Sequence, residues 1–241
     1  MKNKKIWIII CFILSICLIA LGTIFILFQK DKKEESLYAR LKDGKTIEIC
    51  PNEECGIYST LKFPQIETNI TDEAFVTKVE EINNQSNTYY NEVEKRAENG
   101  ACTNIETGVE YQYPLNIEYI VDVTKQENII NIFTYTEKHN QCTNELSKTE
   151  VTSYFYDLEN KKELSMEEYM NKKGLTYDIL NQSIEESFRK QYTKEDVDTV
   201  VEDIKNNRQY IIKNQEDQIM VYYYSNILNG WLTMNEDEIK R

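Results

Sequence analysis

The distribution of apolar residues along the chain is uneven from the start. Ile6 to Phe28 runs 23 positions without a charged residue, and about 20 apolar residues are enough to carry a helix across a bilayer. No face of the run is polar, so it does not read as the stripe of a core-facing amphipathic helix. A cleaved secretory leader has an apolar core of about 7–15 residues followed by a small-x-small site. This run is longer and ends Phe25-Ile26-Leu27-Phe28-Gln29-Lys30. Leu14-Ser15-Ile16-Cys17 sits mid-run and places bulky Ile16 where a lipoprotein signal needs a small residue. The pattern predicts a short tail over 1–5, an uncleaved transmembrane anchor over 6–28 and a charged stalk over 29–42.

After the stalk the periodicity changes to that of a folded domain. Lys45–Ile49 and Gly56–Ile66 read as short strands around a Cys50–Cys55 turn. A long helix follows, capped by Thr71 or Asp72. Phe75, Val79, Ile82, Tyr89, Val93 and Ala97 recur in it at three-, four- and seven-residue steps, and Asn99-Gly100 ends it. Leu115–Val123 and Ile129–Thr136 form a hairpin pattern about Thr124–Asn128, and Val151–Leu158 is a third strand. Ser165 with Glu168 three positions later is a capping box. Leu175–Tyr192 stacks Leu180, Ile184 and Phe188 on one stripe, and Thr193 opens a helix carrying Val197, Val200, Val201 and Ile204. Strands near Gln209–Lys213, Gln218–Tyr224 and Ile227–Met234 close the chain. The expected fold class is α+β: a mainly antiparallel sheet packed with one long helix and two to three further helices. Two extracytoplasmic α+β halves are expected over 43–145 and 146–241.

Charge and cysteines set the compartment. Lys2, Lys4 and Lys5 precede the anchor and Lys30, Lys32 and Lys33 follow it, so the positive-inside count is tied. The acidic flank Asp31, Glu34 and Glu35 breaks the tie toward N-terminus inside and C-terminal domain outside. From Glu34 onward the chain has 22 basic and 40 acidic residues, a net charge of −18. That field repels nucleic acid and attracts cationic partners. Only 7 glycines and 3 prolines occur, and the richness in Asn, Lys, Ile, Glu and Tyr matches the coding bias of a low-GC bacterium. Four cysteines, Cys50, Cys55, Cys102 and Cys142, lie beyond the anchor, and an even number in an oxidising compartment predicts two disulfides. The expected pairs are Cys50–Cys55 and Cys102–Cys142, with the other two pairings open. Their spacing is a poor match to a zinc site, and neither metal nor cofactor is expected.

Catalytic signatures are sparse. His139 is the single histidine, so any triad built on a histidine base would use it, and no G-x-S-x-G elbow occurs. Adjacent carboxylates such as Glu80-Glu81, Glu167-Glu168 and Glu185-Glu186 read as solvated helix faces. Seventeen tyrosines are present, and clusters such as Tyr222-Tyr223-Tyr224 suit an interface, because tyrosine buries area while keeping a polar tip. On a strand Tyr222 and Tyr224 share a face and Tyr223 takes the other. Tyr222, Tyr224 and His139 are the candidate partner-contacting residues; Trp231 is a core candidate.

Several of these segments carry a family resemblance. Phe63-Pro64-Gln65-Ile66, Ile82-Asn83-Asn84, Asn116–Val123 and Asn131–Glu137 resemble the first of two paired extracytoplasmic domains of unknown function. Tyr154 to Ser165, with its D-L-x-x-x-K-x-L turn, and the closing hairpin Tyr210–Tyr224 resemble the second. The pair occurs in the lysozyme-responsive anti-sigma factor and in a membrane-anchored peptidoglycan deacetylase of Gram-positive bacteria. The family's Gly-Gly-Ala-His run is replaced here by Tyr135 to Cys142, in which only His139 corresponds. Met1–Lys5 is not expected to serve as a sigma-binding domain, and a catalytic domain after the second half is not expected. What the resemblance implies is a non-enzymatic envelope domain that binds or senses a basic, lysozyme-like protein or a wall ligand. The alternatives are an envelope enzyme or accessory subunit acting on peptidoglycan, and a structural subunit of a membrane complex.

Overall fold

The computed structural model describes residues 36–48, 60–108, 110–111, 113–143, 145–191, 194–215 and 218–240. The anchor at 6–28, most of the stalk and the Cys50–Cys55 pair lie outside the described residues. Among those described, no helix is long and apolar enough to cross a membrane. The chain divides into two compact units, Met1–Leu37 and Tyr38–Arg241, and the second is an α+β unit whose paired strands are all antiparallel.

At its centre is a four-stranded sheet in the order β5 (Leu115–Gln126), β6 (Ile129–Asn140), β7 (Glu145–Asp157), β8 (Lys162–Leu164). The first six residues of β6, Ile129 to Thr134, are all buried, which a strand achieves only when both faces of its sheet are covered. On one face Ile117, Tyr119, Ile130 and Ile132 pack against the hairpin β1 (Ala39–Glu48)–β2 (Thr60–Thr68) and helix α1 (Glu73–Glu98). On the other, Ile129 and Phe155 meet helices α2 (Met166–Lys172), α3 (Tyr177–Gln191) and α4 (Lys194–Asn207) with the sheet β9 (Tyr210–Gln215), β10 (Gln218–Ser225), β11 (Gly230–Asn235). Segments 43–145 and 146–241 therefore share one sheet: β7 pairs with β6 from end to end across that boundary.

Helix α1 begins where expected. The Asp72 side chain accepts from the Phe75 amide at 3.2 Å, and Phe75, Val79, Ile82, Tyr89 and Val93 form its buried stripe. Asn99 and Gly100, the latter at φ 101°, terminate it. The capping box of Ser165 and Glu168 starts α2. Leu180, Ile184 and Phe188 of α3 and Val197, Val200, Val201 and Ile204 of α4 are all in the core.

The stalk expected over 29–42 needs correction at its end, because β1 already begins at Ala39. β1 is an edge strand with mostly exposed side chains and an Arg40–Glu67 ion pair. Its composition is a linker's, while its backbone is paired with β2. Gly44 sits in the register shift between Lys42 and Lys45, where a Cβ would lie 1.8 Å from the Phe63 carbonyl oxygen. The hairpin turn expected at Thr124–Asn128 tightens to Glu127-Asn128, because Thr124, Lys125 and Gln126 stay in the ladder with Asn131, Ile130 and Ile129. β3 (Cys102–Thr103) and β4 (Glu110–Tyr111) form a small hairpin. The expected disulfide Cys102–Cys142 ties it to the end of β6.

Candidate interaction surface

Hydrogen-bond parity fixes which way each residue of the central sheet points. The Gln141 amide donates to the Pro114 carbonyl at 2.8 Å, one step beyond the Leu115–Asn140 pair. In an antiparallel ladder hydrogen-bonded pairs recur every second residue, so the even-numbered residues of β5 bond to β6. The odd ones, Leu115, Ile117, Tyr119, Val121 and Val123, aim N–H and C=O away from it. Their side chains lie on the face that meets α1, whereas Asn116, Glu118, Ile120 and Asp122 lie on the opposite face.

That opposite face is covered over half its length. Near Phe133 it meets β9 and β10: Lys213 pairs with Asp122 and lies 4.9 Å from the Phe133 ring centroid, and Tyr222 packs on Phe133 with centroids 4.9 Å apart. Beyond Phe133 the face is less covered: Glu118, Tyr135, Glu137 and His139 are half-buried, while Asn116 is buried. Ile120 is 38% exposed, and its cross-strand neighbour Tyr135 is half-buried and donates its hydroxyl to the Glu137 carboxylate. Glu118 stands directly opposite Glu137, and Asn116 opposite His139.

The candidate residues separate into three places. Tyr222 borders the open strip at the Phe133 end, and its hydroxyl pKa is raised by burial, assisted by the Asp122 carboxylate. His139 lies at the other end, six residues along β6, roughly 20 Å at the rise of a strand. Tyr224 shares the Tyr222 face of β10, as alternation requires, but packs edge-on to Trp231 at 5.4 Å and donates to Asn229 at 3.2 Å. Tyr223 is in the core beside Phe188. Trp231, expected in the core, is only half-buried because it lies on β11 against Tyr224.

Among the cavities that flank this sheet, two stand out by their lining. A groove of about 440 Å³ separates the outer edge of β5, at Ile117 to Val121, from the β2 wall of Leu61, Lys62 and Pro64 and from Leu41. A polar cup of about 510 Å³ lies at the opposite end, lined by Gln126, Glu127, Asp157, Lys172, Lys173 and Glu236. Its two lysines are engaged: Lys172 holds Asp157 at 3.2 Å and Lys173 donates to the Gln126 side chain at 3.0 Å. The Asp157 carboxyl is held down to about 2, first by the Asn160 side-chain amide, then against the cost of burial by the Asn160 backbone and Lys172. This is the Asp of the D-L-x-x-x-K-x-L turn, and its role is to tie that turn to α2.

Three asparagines that the sequence pattern left unremarked as functional groups organise the strand edges. The Asn83 amide accepts from the Ile66 N–H at 2.7 Å and donates to the Ile66 carbonyl at 2.9 Å, imitating a neighbouring strand. Ser86 donates to the Pro64 carbonyl at 2.7 Å. Asn131 donates to the Ser153 hydroxyl at 2.6 Å and accepts from the Asn214 N–H at 2.9 Å, while Ser153 donates to the Ile212 carbonyl at 2.6 Å. Tyr169 completes this network on the Asn214 side chain. The signal available in sequence was polar residues inside otherwise apolar stripes.

No family model matches the chain, and no curated protein matches it.

Proposed function

We propose that this chain is a membrane-tethered domain, N-terminus inside and Tyr38–Arg241 outside, that binds a basic protein at a Gram-positive-type envelope without catalysing a reaction. The observation that carries this reading is the partly exposed acidic and aromatic half-sheet, with Glu118 and Glu137 around Ile120 and Tyr135 and with Tyr222 at its border. Tyrosine and isoleucine offer contact area, and carboxylates around them select a cationic partner. The excess of acid supports it further, because lysines and arginines such as Arg40, Lys78, Lys138, Lys162 and Lys240 are already paired to carboxylates of the same chain. The uncharged run at 6–28 supports the tether, and Cys102–Cys142 supports an oxidising compartment. The family resemblance supports a partner of the lysozyme type.

Titration of the chain with a c-type lysozyme by calorimetry, at low and at physiological salt, tests the reading. A sub-micromolar complex that survives physiological salt and is lost on Glu118→Lys with Glu137→Lys is expected. Heat that vanishes with salt would reduce the attraction to screened, nonspecific charge and overturn it.

A further inference from the structure

Unpaired N–H and C=O groups on a strand edge invite another strand, and proteins guard such edges with charge, proline, bulges or short strands. β1 carries Arg40, Lys42, Asp43 and Lys45 and the register shift at Gly44, and β8 is three residues long. β11 has none of these guards. It is the outer strand of its sheet, its register with β10 is unbroken, and its sequence Gly-Trp-Leu-Thr-Met-Asn holds neither charge nor proline. Around it, Gln218–Asn235 runs 18 residues without a charged side chain, the longest such run beyond residue 28, in a region of net charge −18. The Tyr224 amide donates to the Gln209 carbonyl at 3.2 Å, so even-numbered β10 residues bond to β9 and odd-numbered ones to β11. Val221 and Tyr223 thus take Met234 and Leu232, and Trp231, Thr233 and Asn235 aim their backbone groups outward. Glu238 accepts from the Asn235 N–H at 2.9 Å. Among the described residues no hydrogen bond ends on the backbone of Trp231 or Thr233. Trp231 is half-buried and Thr233 exposed, and Ile227 and Leu228 in the adjoining turn are 51% and 49% exposed.

We infer that β11 is a self-association edge, along which a second copy of this chain pairs antiparallel about a two-fold axis, Leu232 opposite Leu232. The inference is independent of the basic-partner reading and uses a different surface. In this register Trp231 of each copy faces Thr233 of the other, and each such pair exchanges N–H···O bonds in both directions. It is the symmetric register that satisfies both free residues on each copy, because the Asn235 N–H is already taken by Glu238. Trp231 then lies beside the other copy's Thr233, on the face that Tyr222 and Tyr224 share. The two Leu232 side chains meet on the opposite face, where a groove of about 340 Å³ runs between Phe188 and Tyr223 and the strand edge. Charge selects this occupant. An acidic partner surface is repelled elsewhere on the domain, and a basic one gains nothing from an uncharged hairpin. Two copies joined at Gln218–Asn235 bring no carboxylate of the hairpin against another, and the two-fold makes the one edge complementary to itself.

The test uses the full chain in a non-ionic detergent. Six strand residues a side make a small interface, so the dimer is expected to form between roughly 5 µM and 500 µM. Over that range hydrogen exchange at the Trp231 and Thr233 amides is expected to slow by about threefold or more, with the Leu232 and Met234 amides, already in the ladder, changing less. Added salt is expected to tighten the dimer, because it screens two acidic domains and leaves a neutral contact untouched. In a mixture of isotope-labelled and unlabelled chains, cross-peaks between Trp231 of one copy and Thr233 of the other are expected. Thr233→Pro removes an outward N–H without touching the β10–β11 ladder and is expected to abolish the dimer, while Thr233→Val, which keeps the N–H, retains it. A chain that stays monomeric at the highest concentration overturns the inference. So does a dimer whose Trp231 and Thr233 amides exchange as in the monomer, or one that Thr233→Pro leaves intact, since either places the contact elsewhere. Protection of these amides at low chain concentration by added lysozyme, or in proportion to added detergent, overturns it in favour of a protein partner or a lipid surface.

Discussion

Removing the Asn131 amide probes whether one buried side chain joins the two sheets. Asn131 is 1% exposed. Its Nδ2 donates to Ser153 Oγ at 2.6 Å and to the Tyr154 carbonyl at 3.2 Å, and its Oδ1 accepts from the Asn214 amide at 2.9 Å. In Asn131→Ala the Tyr154 carbonyl keeps its ladder partner on β6, because the Leu158–Asn128 bond at 2.7 Å places even-numbered β6 residues in register with β7. Ser153 keeps the Ile212 carbonyl. The Asn214 N–H is left buried with nothing to donate to, which costs about 1–3 kcal/mol, and the lost bond to Ser153 adds about 1 kcal/mol. The expected destabilisation is about 2–4 kcal/mol, a large part of the roughly 5–15 kcal/mol that holds a domain folded. Urea unfolding of the oxidised Tyr38–Arg241 unit, followed by far-ultraviolet circular dichroism, reads the change as a shifted midpoint at unchanged slope. A double-mutant cycle with Ser153→Ala should show coupling of about 0.5 kcal/mol or more. A loss below about 0.5 kcal/mol for Asn131→Ala would mean that water replaces the amide without penalty, and the account of the sheet-to-sheet junction would be wrong.

Three further outcomes are expected. Replacing Cys102 and Cys142 with serine frees a loop of sequence separation 40; chain entropy puts the loss at about 4 kcal/mol, measurable as a lower urea midpoint, and equal midpoints with and without the bridge would contradict it. Asp157 has its carboxyl lowered from 3.8 to about 2, so its contribution is fully present above pH 3.8 and lost as pH falls through about 2; acid titration of Asp157→Asn should lack the part of the wild-type stability change in that window, and parallel pH profiles would refute the assignment. Gly44→Ala brings a methyl onto the Phe63 carbonyl and should cost about 1–3 kcal/mol, with faster hydrogen exchange in β1 and β2; wild-type stability would show that the bulge has room.

Much of the fold was legible because local physics fixes it. Asp72, Ser165 and Glu168 cap helices through groups within three residues of one another, and the stripes of α1, α3 and α4 follow from helical period alone. The polar start of β1 was not legible, since Ala39–Lys42 acquire order only by pairing with β2. Nor was the shared sheet, since β6 looks the same whether one core or two will cover it. Of the candidate site, alternation correctly placed Tyr222 and Tyr224 on one face with Tyr223 opposite. It could not place His139 and Tyr222 at two ends of one strip, nor put Glu118 against Glu137.

The division follows from the range of the forces involved. Caps, helical stripes, turn residues and the acid excess are set by neighbours in the chain, and the amino-acid order by itself determined them. The Cys102–Cys142 pairing stood among three in the sequence, and the geometry of β3 beside the end of β6 selects it. Which strand edges are capped by side chains was decided only in three dimensions, because the capping side chains come from far along the chain: Asn83 accepts from the Ile66 N–H across 17 residues, and Asn131 from the Asn214 N–H across 83.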